Sequence, residues 1–82
     1  MSTAAIYIVD DDADMREGLA WLFDSRGHKA TTWDSGPPFI ESVKARAGVW
    51  EQAVVLLDIR MVPMTGLQVF EQLKALACPW PV

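Results

Sequence analysis

The chain has 82 residues, enough for one small domain, since domains run from about 50 to 250 residues. Its 51% hydrophobic and 22% charged content excludes a disordered tail, and a net charge of -4 argues against its gripping DNA or RNA by itself. No apolar run nears the ~20 residues that cross a bilayer, no basic-then-apolar leader is visible, and the single cysteine, Cys78, excludes an internal disulfide, so the expected setting is reducing and cytoplasmic.

Ile6-Tyr7-Ile8-Val9 is a β-branched and aromatic run that stops at Asp10-Asp11-Asp12. Apolar on both faces, it reads as a strand buried on both sides. From Ala13 to Arg26, Met15, Leu19, Leu22 and Phe23 form one helical stripe, with Asp11 or Asp12 available as N-cap and Gly27 placed to end the helix. Lys29 to Trp33 is more polar and reads as an edge strand.

Asp34-Ser35-Gly36-Pro37-Pro38 predicts a turn entering a helix, because proline is tolerated where the first-turn N–H groups lack intrahelical partners. Phe39, Ile40 and Val43 mark the buried side of that helix. Ala53-Val54-Val55-Leu56-Leu57 is a second strand apolar on both faces, and it too runs into an acid, Asp58. A last helix is expected from about Gly66, with Thr65 and Gln68 spaced as a capping box and Leu67, Phe70, Leu73 and Leu76 as its core stripe. Cys78-Pro79-Trp80-Pro81-Val82 follows it.

The order β-α-β-α-β-α implies a parallel sheet with right-handed crossovers. With the polar strand at an edge, the spatial order is second, first, third: an α/β fold, the first half of a doubly wound flavodoxin-like sheet. Ligands of such sheets collect beyond the carboxyl ends of the strands, where the crossover direction reverses. Asp10, Asp11 and Asp58 are therefore expected in one crevice. Gathered like charges repel unless a cation neutralises them, and a hard divalent ion such as Mg²⁺ suits oxygen ligands. A carboxylate there can also attack phosphorus to give an acyl phosphate. The competing bland reading makes each acid a solvated cap at a strand end.

Ile6-Tyr7-Ile8-Val9-Asp10-Asp11-Asp12, with Leu56-Leu57-Asp58-Ile59-Arg60-Met61 and Met64-Thr65-Gly66-Leu67, resembles the receiver domain of bacterial two-component response regulators. Asp58-Ile59-Arg60-Met61 and Trp33-Asp34-Ser35-Gly36 are most similar to the FixJ/LuxR-type branch. The resemblance implies that Asp58 is the phosphoacceptor, phosphorylated from the phosphohistidine of a sensor histidine kinase. It implies that Asp11 and Asp58 ligate Mg²⁺ directly, Asp10 through water, and Arg60 through its backbone carbonyl. It gives Asp12 no role beyond an N-cap or surface acid. The expected module is a signalling domain rather than a turnover enzyme, controlling transcription through a DNA-binding output domain outside this chain.

Two departures stand out. Val62 occupies the position where the family usually has proline, which here comes one residue later, at Pro63. The family's fourth strand ends in Thr or Ser and its fifth in Lys, whereas here Pro81-Val82 reads as the first step of the fourth strand. The expectation is that residues 1–82 are the N-terminal part of a receiver. An open third-strand edge from Val54 to Leu57 then suggests a homodimer or segment swap, against the alternatives that helices collapse over it or that further chain covers it.

Other residues carry weaker readings. His28 beside Gly27 reads as a favourable charge at a helix C-terminus rather than a relay or metal residue. Met61 and Met64 read as loop packing over the last helix, with a partner-binding lip as the alternative. Trp21 and Trp50 are expected at partly exposed positions and Trp80 over the open edge. Asp10, Asp12 and Asp14 begin like a calcium loop, but Met15 and Trp21 stand where its glycine and closing glutamate belong. A haloacid-dehalogenase-type phosphatase, with Asp10 as nucleophile and Asp12 beside it, is the enzyme alternative, and a receiver-like binding module without phosphorylation is the other; the phosphatase leaves Asp58 idle.

Overall fold

The computed structural model describes residues 4–46, 51–58, 60–61 and 64–82. Three strands, β1 (Ala5–Val9), β2 (Ala30–Trp33) and β3 (Ala53–Leu57), alternate with α1 (Ala13–Ser25), α2 (Gly36–Lys44) and α3 (Gly66–Ala75). The sheet is parallel with order β2-β1-β3, as the sequence implies. Its register matters most at the carboxyl ends, where Val9 stands opposite both Trp33 and Leu57.

Side-chain alternation splits the sheet into two faces. Tyr7, Val9, Ala53 and Val55 point into the main core with Phe39, Ile40, Val43, Met61, Val69, Leu73 and Trp80, which α2, α3 and their flanking chain supply. Ile6 and Ile8 point to the opposite face, which α1 covers over β1 and β2. Connections thus leave β1 and β2 on opposite faces, and the reversal falls between β1 and β3.

The helix ends follow local chemistry. Asp12 caps α1, its carboxylate accepting from the N–H groups of Asp14 and Met15. Thr65 and Gln68 form the expected capping box of α3. At the other end of α1, Gly27 takes φ +83 and the N–H groups of Gly27 and His28 donate to Asp24 and Phe23. Ala77 does the same job after α3, at φ 57, with Ala77 and Cys78 donating to Lys74 and Leu73. These are the two bonds of a Schellman cap.

Several expectations need correction. The α1 stripe is not core: none of its residues is buried, Met15 is 54% exposed and Leu22 39%. The reason is that α1 packs mainly on β1 and β2, leaving its stripe open toward β3. For the same reason the α1-side residues of β3, Val54 and Leu56, are only half-buried. The buried side of α3 is Gly66, Val69 and Leu73, whereas Leu67 and Phe70 face an apolar groove beside β3 and Val82. Trp80 does not cover an edge. It inserts into the core, 5.1 Å from the Tyr7 ring, and its indole N–H donates to the Glu51 carbonyl at 2.6 Å. That anchor brings Pro81 alongside β3, where its carbonyl accepts from the Val55 N–H at 2.9 Å. The first step of a further strand is therefore present, and the β3 edge is partly paired. Val62, Pro63 and Trp50 lie outside the described residues.

Candidate functional site

The parallel register brings the acids together. Asp10 and Asp58 directly follow the level pair Val9 and Leu57, and the Asp58 N–H donates to the Val9 carbonyl at 3.0 Å, extending the ladder by one rung. Asp10 is tied on the other side, its N–H donating to Trp33 at 3.1 Å. One carboxylate oxygen from each of Asp10, Asp11 and Asp58 lies within 4.8 Å of the others. Asp11 is exposed, and Asp10 and Asp58 are half-buried.

Two of the three carboxylates are oriented by backbone donors. Asp10 Oδ1 accepts from the Asp12 N–H at 2.9 Å, and Asp58 Oδ1 from the Arg60 N–H at 3.1 Å. Each bond uses one oxygen and leaves the other for a ligand. Among the described residues the ion pairs are Lys44–Glu41 and Arg46–Glu51, so no Lys or Arg is ion-paired with these carboxylates. A cavity of about 200 Å³ opens beside Asp10 and Asp58, lined also by Ile8, Met15, Leu19 and Leu56.

A larger hollow of about 720 Å³ lies at the opposite end of the strands, lined by Tyr7, Lys29, Arg46 and Glu51 among others. Ligands of open parallel sheets bind at the carboxyl ends of the strands. The acidic end is therefore the candidate site, despite its smaller cavity.

Asp12 stays out of the cluster because its carboxylate caps α1, which removes the second acid a haloacid-dehalogenase reading needs. Met61 is fully buried in the core and Met64 packs against it, which is loop packing and no exposed lip. Trp21 is 71% exposed on α1 and makes no ring contact among the described residues. His28 is half-buried against the Phe23 ring, and its Nδ1 has no hydrogen-bond partner among the described residues. Sequence reading missed Arg16, whose guanidinium donates to the Asp10 carbonyl at 2.8 Å. The available signal was its place one turn beyond the Asp12 cap, a costly place for a cation.

A parallel 2-1-3 sheet with a triad of carboxylates at its switch point defines a receiver-like fold. Residues 6–82 match the response regulator receiver domain, and the chain belongs to that family. It is 32% identical over 77 residues to the transcriptional regulatory protein FixJ of Bradyrhizobium diazoefficiens, covering 94% of this chain and 36% of that protein. It is 34% identical over 71 residues to the tetrathionate response regulatory protein TtrR of Salmonella typhimurium, covering 87% of this chain and 32% of that one. Among solved structures, FixJ-N superposes with a TM-score of 0.83 at 27% identity over 99% of this chain and 62% of its own. Full-length FixJ from B. japonicum gives 0.84 at 31% identity, over 99% and 38%. The chain thus spans about a third of the length of the curated relatives it matches. No described helix is long and apolar enough to cross a membrane.

Proposed function

We propose that Asp58 is the phosphoacceptor of a two-component signalling relay, and that the acidic cluster holds Mg²⁺ while the transfer occurs. The supporting observation is the meeting of three carboxylates at the switch point, none of them ion-paired among the described residues. Such a cluster of oxygen donors fits a hard divalent ion. Asp11 and Asp58 would hold it directly, Asp10 through water, and Arg60 through its backbone carbonyl. When bound, the ion would offset negative charge on the transferring phosphoryl oxygens.

The chain's own part is nucleophilic. The Arg60 N–H holds Asp58 Oδ1, leaving the second oxygen to attack phosphorus. A bond forms between that oxygen and phosphorus, while the bond from phosphorus to the donor, the phosphohistidine nitrogen of a sensor kinase, breaks. The electron pair and a proton return to the imidazole. The product, an acyl phosphate on Asp58, replaces a single carboxylate charge with a phosphoryl group, a net gain of about -0.5 to -1 at the end of β3 that would bias a nearby two-state surface. FixJ and TtrR are named as regulatory proteins, which supports a transcriptional output acting on DNA through a separate domain.

The test is to incubate the chain with a small acyl phosphate and Mg²⁺ and weigh it. One added phosphoryl group is expected, lost in Asp58→Asn and on chelation. Addition that persists in Asp58→Asn but disappears in Asp10→Asn would replace this reading with the phosphatase one. Absence of both Mg²⁺ binding and phosphoryl uptake would leave a binding module.

A further inference from the structure

Asp11 is the least supported acid of the cluster. Its side chain is exposed and makes no hydrogen bond or ion pair among the described residues. With no partner of its own, its reach toward the other acids depends on its rotamer and on the placement of the backbone that carries it. That backbone begins at the Asp10–Asp11 peptide, a rigid plane whose orientation follows its carbonyl. The Asp10 carbonyl is held by the half-buried Arg16 guanidinium at 2.8 Å.

The placement of Arg16 is unfavourable on general grounds. It lies in the first turns of α1, its own N–H donating to the Asp12 carbonyl, where the helix dipole disfavours a cation. Nearby acids would be the obvious partners, yet Arg16 makes no ion pair with them among the described residues. Its charge-assisted bond goes to a backbone carbonyl instead.

We propose that Arg16 is a positioning residue, whose guanidinium fixes the Asp10–Asp11 peptide and so aims the Asp11 carboxylate at Asp58. This rests on the proposed role of the cluster in holding Mg²⁺. Such outer-shell support differs in sign from simple electrostatics. Removing a nearby positive charge alone would tighten cation binding, whereas losing a support typically weakens it about 10–100-fold.

The test is calorimetric titration of Mg²⁺ into the unmodified chain, Arg16→Met and Arg16→Lys, with Val43→Ala as a destabilised control in the last turn of α2, toward the opposite end of the strands. Arg16→Met is expected to weaken Mg²⁺ binding about 10-fold, and Arg16→Lys about threefold because an ammonium can still reach one carbonyl. Val43→Ala is expected to lower the melting temperature without changing Mg²⁺ affinity. Affinity in Arg16→Met equal to or tighter than the parent overturns the proposal. If circular dichroism shows that Arg16→Met does not fold, Arg16→Lys decides, and unchanged affinity there overturns it. A parent chain that binds no Mg²⁺ overturns the functional reading beneath it, whereas a parent that binds while the Arg16 variants are unaffected sinks only the positioning role.

Discussion

Tyr7 is the chain's one tyrosine and sits 3% exposed in the middle of β1. Its hydroxyl donates to Glu51 and accepts from Arg46, whose guanidinium also lies 5.2 Å from the ring centre. Burial raises its pKa above the ordinary 10, the Glu51 hydrogen bond adds to this, and Arg46 pulls the other way. A folded-state value above the unfolded one means that this contribution is complete below about pH 10 and lost as pH rises through the folded value. Phenolate absorbance should therefore titrate above 10 in the native chain. A midpoint at or below that of free tyrosine would contradict the burial argument. Gly36 is constrained by space: a Cβ there would meet Val69 Cγ2 at 2.7 Å and Met64 Sδ at 3.0 Å. Gly36→Ala should cost about 1–3 kcal/mol by overpacking the α2–α3 contact, measured by urea unfolding.

At the scale of elements, the two helix ends make an internal comparison. Gly27 and Ala77 occupy equivalent left-handed positions after α1 and α3. Glycine carries no Cβ penalty there, while alanine does. Ala77→Gly should stabilise the chain by about 1 kcal/mol in denaturant titration, the opposite of the usual effect of introducing glycine. Thr65→Ala should cost about 1 kcal/mol, because it removes one of the two reciprocal bonds that start α3.

The elements themselves were legible because their punctuation is local: Asp12, Gly27, Pro37 and the Thr65–Gln68 spacing act on their own backbone. What the sequence could not reveal was which side of each helix is covered. Leu67 and Phe70 fit the period of α3 as well as Val69 does, but only Val69 meets the α2 contact at Gly36. Trp80 gave no local sign that it belongs in the core, since its partners Tyr7 and Glu51 are distant in sequence. The acidic site was readable because strand polarity alone decides that Asp10 and Asp58 share an end. Arg16 was not, because its role is a contact to a carbonyl, and carbonyls are the same at every position.

For the whole molecule, three clustered carboxylates repel one another, and a cation bound among them would relieve that repulsion. In chelator, Asp58→Asn should raise the melting temperature by removing one of three clustered charges. Added Mg²⁺ should stabilise the unmodified chain by RT ln(1 + [Mg²⁺]/Kd), about 2.7 kcal/mol at 100 times Kd, and Asp58→Asn by much less. Equal gains in both would show that Asp58 is no ligand. The pairing of Val9 with Leu57 also makes the chemistry depend on parity. Successive strand residues alternate between faces, so deleting or inserting one residue within Ala53–Leu57 would send Asp58 toward the α2–α3 layer while the hydrophobic side chains of β3 exchange faces with it. Two residues would restore the direction but shift the acid by one full pleat from Asp10. Length changes in this five-residue segment are therefore expected to silence phosphorylation even where the sheet survives them.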